Sequence, residues 1–212
     1  MPAKKDSLYE HLSPLSVVMK QRFVEWFNPN VTWSGRWNIS NSNSGYTIAI
    51  DDAVDGGLKM INNAPHTHAA ILDFDNKHQF SATSSVFIYT GKTATSSGGT
   101  MVGLAKDYRQ DNAYDSAMTQ WDAGNSGGTV YTLSSDGTTQ SAVSNGFTRD
   151  ANYHTHKLEL TSTALLPSQD GVLGSSKTSN RPADPLMPVV KSYSYSGNTT
   201  QLNIKYYEAY NI

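Results

Sequence analysis

The 212-residue chain has no cysteine. That excludes thiol nucleophiles, disulfide staples and cysteine zinc sites, and it leaves the redox compartment open, since a domain of this size folds without disulfides. Charge is scarce as well: Asp, Glu, Lys and Arg make up 16% of the chain, and the net charge is -2. Lysines and arginines are scattered, with no run beyond Lys4-Lys5. This excludes the basic stripe of an electrostatic nucleic-acid binder. No apolar run reaches the ~20 residues of a membrane-spanning helix. The polar stretch Met1 to Tyr9 leads into no apolar segment of the signal-peptide kind. Membrane insertion is therefore not expected, and a place on a virion surface or outside a cell would be reached without a visible signal.

Ser, Thr, Asn and Gly are abundant instead, and aromatics make up 10% of the chain, with twelve tyrosines. Such a surface is rich in hydroxyls and amides. Glycosylation sequons occur at Asn30, Asn38 and Asn198, as chance predicts for this composition.

Residues 1–22 read differently from the rest. Leu12, Leu15, Val18, Met19 and Phe23 recur at helical spacing, and Ser13-Pro14 supplies an N-cap and a first helical residue. Two readings stand: a short helix capping the body, or an apolar arm docking on a partner subunit. From residue 23 onward the pattern is strand and turn. Strands are expected at 33–39, 46–51, 57–62, 68–74, 84–90, 100–105, 117–121, 129–134, 139–143, 153–161, 189–195 and 201–210. Gly-rich turns such as Ala123 to Gly128 and Asp136-Gly137 separate them. The irregular, proline-containing stretch Leu165 to Pro188 reads as a long loop, and Asp107 to Asp115 as another. Many short strands with regular turns mean a sandwich or barrel.

Tyr153-His-Thr-His-Lys-Leu-Glu-Leu160 resembles the "Trp/Tyr-His-x-Tyr-Lys-Ile-Glu" strand of concanavalin A-like (laminin-G-like) jelly rolls. Phe23 to Phe27 with Trp33 to Trp37 resembles their opening hairpin, Phe80 to Tyr89 their first long core strand, and Leu202 to Asn211 their closing strand. Within the Leu165 to Pro188 stretch, Gln169-Asp170-Gly171-Val172-Leu173 partly matches the "I-D-G" hairpin of many of these proteins. The resemblance implies an all-β, antiparallel jelly-roll sandwich over 23–212; the short helical arm read from the spacing in 1–22 precedes it.

Some members of that superfamily are glycoside hydrolases with E-x-D-x-x-E or E-x-D-x-E on one strand, a spacing that puts the carboxylates on one face. The strand glutamates Glu25, Glu159 and Glu208 have no carboxylate two or four positions away. Asp73 and Asp75 come nearest, and a turn-forming role suits them as well. A catalytic function is therefore not expected. His66-Thr-His68 and His154-Thr-His156 would each put two imidazoles on one strand face, with His78 a third candidate ligand. The resemblance explains His154 and His156 without metal. Asp51, Asp52 and Asp55 form an acidic loop open to a structural calcium or to a plain turn role. Lys205 stands where calcium-binding relatives place an Asp, so no cofactor is expected.

For ligand binding, Trp121 before its Gly-rich loop, with Tyr108 and Tyr114, offers stacking platforms for sugar rings; the alternative is burial, the usual fate of large aromatics. Three functions follow, the third a remote one: a divergent glycoside hydrolase, which requires Asp73 and Asp75 to face a cleft. The leading expectation is a non-enzymatic structural protein on a particle surface, a viral capsid decoration or capsid-associated protein, docked on other subunits as a homo-oligomer. The alternative is a lectin-like module that binds glycans through its loops.

Overall fold

A computed structural model describes residues 22–27, 38–41, 46–50, 57–62, 69–73, 79–93, 99–106, 115–122, 128–183, 185–193 and 200–212. Fifteen strands occupy the described residues. They are β1 (Arg22–Trp26), β2 (Asn38–Asn41), β3 (Tyr46–Ile50), β4 (Leu58–Asn62), β5 (Ala69–Asp73), β6 (Ser85–Thr93), β7 (Gly99–Ala105) and β8 (Ser116–Asp122). They continue with β9 (Thr129–Ser135), β10 (Gln140–Thr148), β11 (His154–Leu160), β12 (Leu165–Gln169), β13 (Val172–Leu173), β14 (Met187–Tyr193) and β15 (Thr200–Asn211). The first sheet runs β13-β12-β11-β6-β15-β4-β3, with β1 also on β15; the second runs β10-β9-β8-β7-β14-β5-β2. All pairings are antiparallel. This is the expected two-sheet jelly-roll sandwich.

The core lies between the sheets because strand residues alternate sides. Phe87 and Tyr89 of β6, Leu158 and Leu160 of β11, and Tyr207 and Ala209 of β15 point inward from the first sheet; Val102 and Leu104 of β7 and Val130 of β9 meet them from the second. Tyr207 crosses the gap, its hydroxyl donating to the Gly103 carbonyl at 2.8 Å. That bond removes the cost of burying a phenol. Strand β15 organises the first sheet: β6 follows it along one edge, and β4 and β1 share the other end to end.

Two expectations are corrected here. Phe23 is not a docking residue: it sits inside β1, 2% exposed, with its ring 5.9 Å from Tyr207. Alternation along β1, paired with the end of β15, turns it into the core. Residues Leu12, Leu15, Val18 and Met19 of the arm lie outside the described residues. The Leu165 to Pro188 stretch is not a long loop at its start. Residues 165–173 form the β12–β13 hairpin, closed by Asp170 (φ 49) and Gly171 (φ 84), both in the left-handed region that Asp tolerates and Gly favours. Pro167 misled the reading, since proline lacks a ladder donor; here its carbonyl accepts from Gly174 N–H. The first expected strand, 33–39, is described only from Asn38, as β2.

Candidate functional site at the sandwich rim

At one end of the sandwich the strands leave a narrow pocket between the sheets. Gly91 to Thr93 closing β6, Trp121 near the end of β8, Thr148 ending β10 with Arg149, Asp150 and Asn152 after it, His154 and His156 opening β11, and Gln169 ending β12 line it. The space, open solvent included, is about 190 Å³, with room for little more than a water-sized group.

Strand alternation positions the two histidines on the inward side of β11. His156, deeper, stacks on Tyr89 (centroids 5.0 Å, 16°) and meets the edge of Trp121 at 4.8 Å. Burial, with a smaller contribution from nearby His154, drives its pKa down to about 3, so it is a neutral aromatic block at working pH. His154, one pleat outward, is bonded on both ring nitrogens: Nδ1 to Asp170 Oδ2 at 2.5 Å and Nε2 to Asp150 Oδ1 at 2.9 Å. Partial burial works against its charge, but the bonds to Asp170 and Asp150 outweigh it and raise the pKa. Asp150 is lowered, first by the Asn152 N–H and then by His154; Asp170 is lowered by the His154 and Thr155 N–H bonds despite some burial. Asp170 Oδ1 also accepts from Thr155 N–H at 2.8 Å. His154 thus ties the β10–β11 connection and the β12–β13 turn to one strand. A histidine held this way positions loops and is not free to act as a base.

Gln169 pairs in register with His156, on the same inward side. Its Oε1 is buried and has no hydrogen-bond partner. An orphaned acceptor is costly, and Gln169 is one of the residues that line the pocket. Asp150, Asn152, Arg149 and Lys92 ring the mouth with both charge signs and an amide.

The second sheet carries different chemistry on the side turned away from the core. Alternation puts Met101, Gly103 and Ala105 of β7, Met118 and Gln120 of β8, Leu133 of β9, and Met187, Val189 and Lys191 of β14 there. These positions hold no carboxylate, and all their side chains are buried. Asp73, last in β5, is in register with Val189 and Asn38.

Trp121 is not the exposed platform expected. It is 3% exposed, wedged between Tyr89 (5.4 Å, edge-on) and His156. Its register with Val130 and Thr100 turns it inward, whatever the loop beyond it does. Tyr108, Tyr114, Asp51, Asp52, Asp55, Asp75, His66, His68 and His78 lie outside the described residues. Among the described residues no group of three His, Asp or Glu side chains is arranged to hold a metal ion. Sequence reasoning missed Gln169 and Asp170 as site residues. The Asp-Gly dipeptide at 170–171 was the available signal, since it marks a tight hairpin that would bring its carboxylate back to β11.

No family model matches the chain, and no curated protein does. Solved structures do. The Bacillus licheniformis β-glucanase matches with a TM-score of 0.65 at 14% identity, covering 91% of this chain and 98% of that one. The apo Crh5 transglycosylase matches with a TM-score of 0.67 at 15% identity over 90% of this chain and 84% of that one. The carbohydrate recognition domain of Emp47p matches with a TM-score of 0.63 at 13% identity over 89% and 94%. These likenesses establish a concanavalin A-like lectin/glucanase jelly-roll fold.

Proposed function

We propose that this chain is a non-catalytic carbohydrate-binding module whose rim pocket receives the hydroxyl edge of a sugar. One observation carries the reading: the buried, partnerless Oε1 of Gln169, a residue that lines a pocket together with Asp150, Asn152, Arg149 and Lys92. Sugar hydroxyls both donate and accept, so they suit an orphaned acceptor beside groups of mixed polarity. So small a space suits one hydroxyl or hydroxymethyl arm, not a whole ring. Structures of the same fold, a β-glucanase, a transglycosylase and a carbohydrate recognition domain, support this ligand class. The non-catalytic part is supported by the outward row Met101-Gly103-Ala105 on the central strand of the second sheet, with Met118 and Val189 on its neighbours. Glycosidic cleavage needs two carboxylates about 5–10 Å apart, and this row supplies none.

The test is a glycan array with the purified chain, with and without calcium, followed by calorimetry on the best ligand. Saturable binding that Gln169→Ala weakens about tenfold, a loss of ~1.4 kcal/mol, is expected. A blank array sinks the reading. Release of reducing ends from a bound glycan refutes its non-catalytic part. The competing role, a structural subunit on a particle surface, predicts a stable homo-oligomer without glycan affinity; sedimentation of the same sample separates the two.

A further inference from the structure

The outer face of the first sheet carries an aromatic and ionic cluster that the rim pocket does not use. Trp26, last in β1, is 62% exposed, although a large aromatic gains most from burial. One side of its ring packs on Tyr206 of β15, centroids 4.3 Å apart at 46°. Next along β15 on the same face is Glu208, 8% exposed, with its carboxylate held from two sides: Arg22 Nε donates to Oε1 at 2.7 Å, and the Tyr206 hydroxyl donates to Oε2. Burial first, and the Glu208 bond second, push the Tyr206 pKa up to about 12, so this donor stays in place. An open depression of about 640 Å³ lies beside them, lined by Arg22, Ile88, Glu208, Tyr210 and Asn211. Across the sheet, in the row of Tyr206, the hydroxyls of Thr90 and Thr155 meet at 3.0 Å. The Tyr153 ring lies under Lys92 (4.6 Å) and Lys205 (4.1 Å). Lys92 also lines the rim pocket, so the two sites adjoin around the sheet edge.

We infer that this face is a second carbohydrate-binding surface, which takes a neutral pyranose chain laid flat over Trp26 and Tyr206. The inference rests on the carbohydrate reading above and adds a place and a ligand class to it. A pyranose presents an apolar C–H face and a hydroxyl edge. The exposed indole suits the first, and the exposed Arg22 guanidinium, anchored through Nε to Glu208, suits the second by donating from its outer nitrogens. Arg22 and Glu208 neutralise each other, which favours an uncharged sugar over an acidic one. The strand face has no walls, and Tyr206 and Tyr210 lie ~13 Å apart along β15, longer than one ring; an extended chain fits better than a single residue. A protein partner would have to desolvate the ion pair at the centre of the patch, whereas a polyol satisfies it.

The experiment is affinity electrophoresis of the full chain through gels holding a neutral β-glucan, a neutral xylan or polygalacturonate, with Trp26→Ala and Gln169→Ala beside the wild type. Trp26 is exposed, so Trp26→Ala is expected to keep its circular dichroism and melting temperature. Expected is retardation by a neutral polysaccharide, weakened at least fivefold in Trp26→Ala, and none by polygalacturonate. If a neutral polysaccharide retards the wild type and Trp26→Ala equally, the second surface is refuted while carbohydrate binding stands. If no neutral polysaccharide retards the wild type, both fall. A Trp26→Ala variant that turns an oligomer into a monomer in sedimentation velocity without changing retardation makes the patch a contact between copies, and overturns the inference.

Discussion

Strands β7 and β11 stand in opposite sheets and have seven residues each, yet they are buried in different ways. In β11, residues His156, Leu158 and Leu160 are buried, while Thr155, Lys157 and Glu159 are exposed or half-exposed. Strand β7, Gly-Thr-Met-Val-Gly-Leu-Ala, is buried at every position. The first sheet therefore shows solvent a face of charges, hydroxyls and a bare indole, and the central strands of the second sheet show it almost nothing. A strand with one solvated face alternates in polarity, whereas one covered on both sides reads as an unbroken run of small and apolar residues. The carbohydrate binding proposed above accordingly falls at the rim and on the first sheet, where described side chains reach solvent.

The strongest way to break this contrast is to add bulk where β7 has none. A Cβ on Gly103 would lie 2.3 Å from the Ala117 carbonyl oxygen and 2.8 Å from the Met118 Cα, backbone atoms that cannot step aside. Gly103→Val should cost about 3 kcal/mol or more, visible as a lost or greatly lowered thermal transition. Met118→Ala, on the covered side of β8, should cost about 2 kcal/mol in urea unfolding; a cost near zero would mean that this side is wet and that the contrast is false.

The rim sharpens the comparison through pH. His156 has a folded pKa near 3 against ~6.5 unfolded. Its stabilisation is thus full above pH 6.5 and is lost as pH falls towards 3. His154 has the opposite sign: its folded pKa is raised, so its contribution is full below ~6.5 and is lost as pH rises through the folded value. In His156→Phe only the second remains. Between pH 6.5 and 5.5 the wild type should lose about 1 kcal/mol relative to that variant, measured by parallel denaturant melts. Equal pH profiles would show that His156 is not buried neutral. The smallest stability effect belongs to Trp26→Ala, under ~1 kcal/mol on the exposed face, even where glycan retardation collapses.

Fold class was legible because alternation in 153–161 and 201–210, with Gly-rich turns between strands, depends only on local chemistry. The 165–173 hairpin is legible only in its turn, Asp170-Gly171, since Pro167 argues against a strand and only pairing with β11 overrides it. Trp121 was misjudged for the same reason: its side of β8 is set by register with Val130 and Thr100, residues distant in the chain or on another strand. Gln169 carries no local signal. It becomes informative only when β12 docks beside His156 and leaves its amide oxygen without a donor. Trp26 was read as part of an opening motif, and its exposure follows from pairing with Tyr206 at the far end of the chain.

The two-sided pairing of β15 has a consequence for how the protein is made. Arg22 and Glu208, bonded in the finished sheet, are 186 residues apart. Until the ribosome has delivered residue 211, β6 has an unpaired edge along its full length, β1 lacks the strand it pairs with, and β4 is paired only with β3. The first sheet cannot close during elongation, and most of the chain must wait with apolar strands uncovered. Such long-range closure belongs to the slow, aggregation-exposed class of folding reactions. Synthesis speed and chaperone supply, more than the stability of the finished sandwich, will set the yield of native protein.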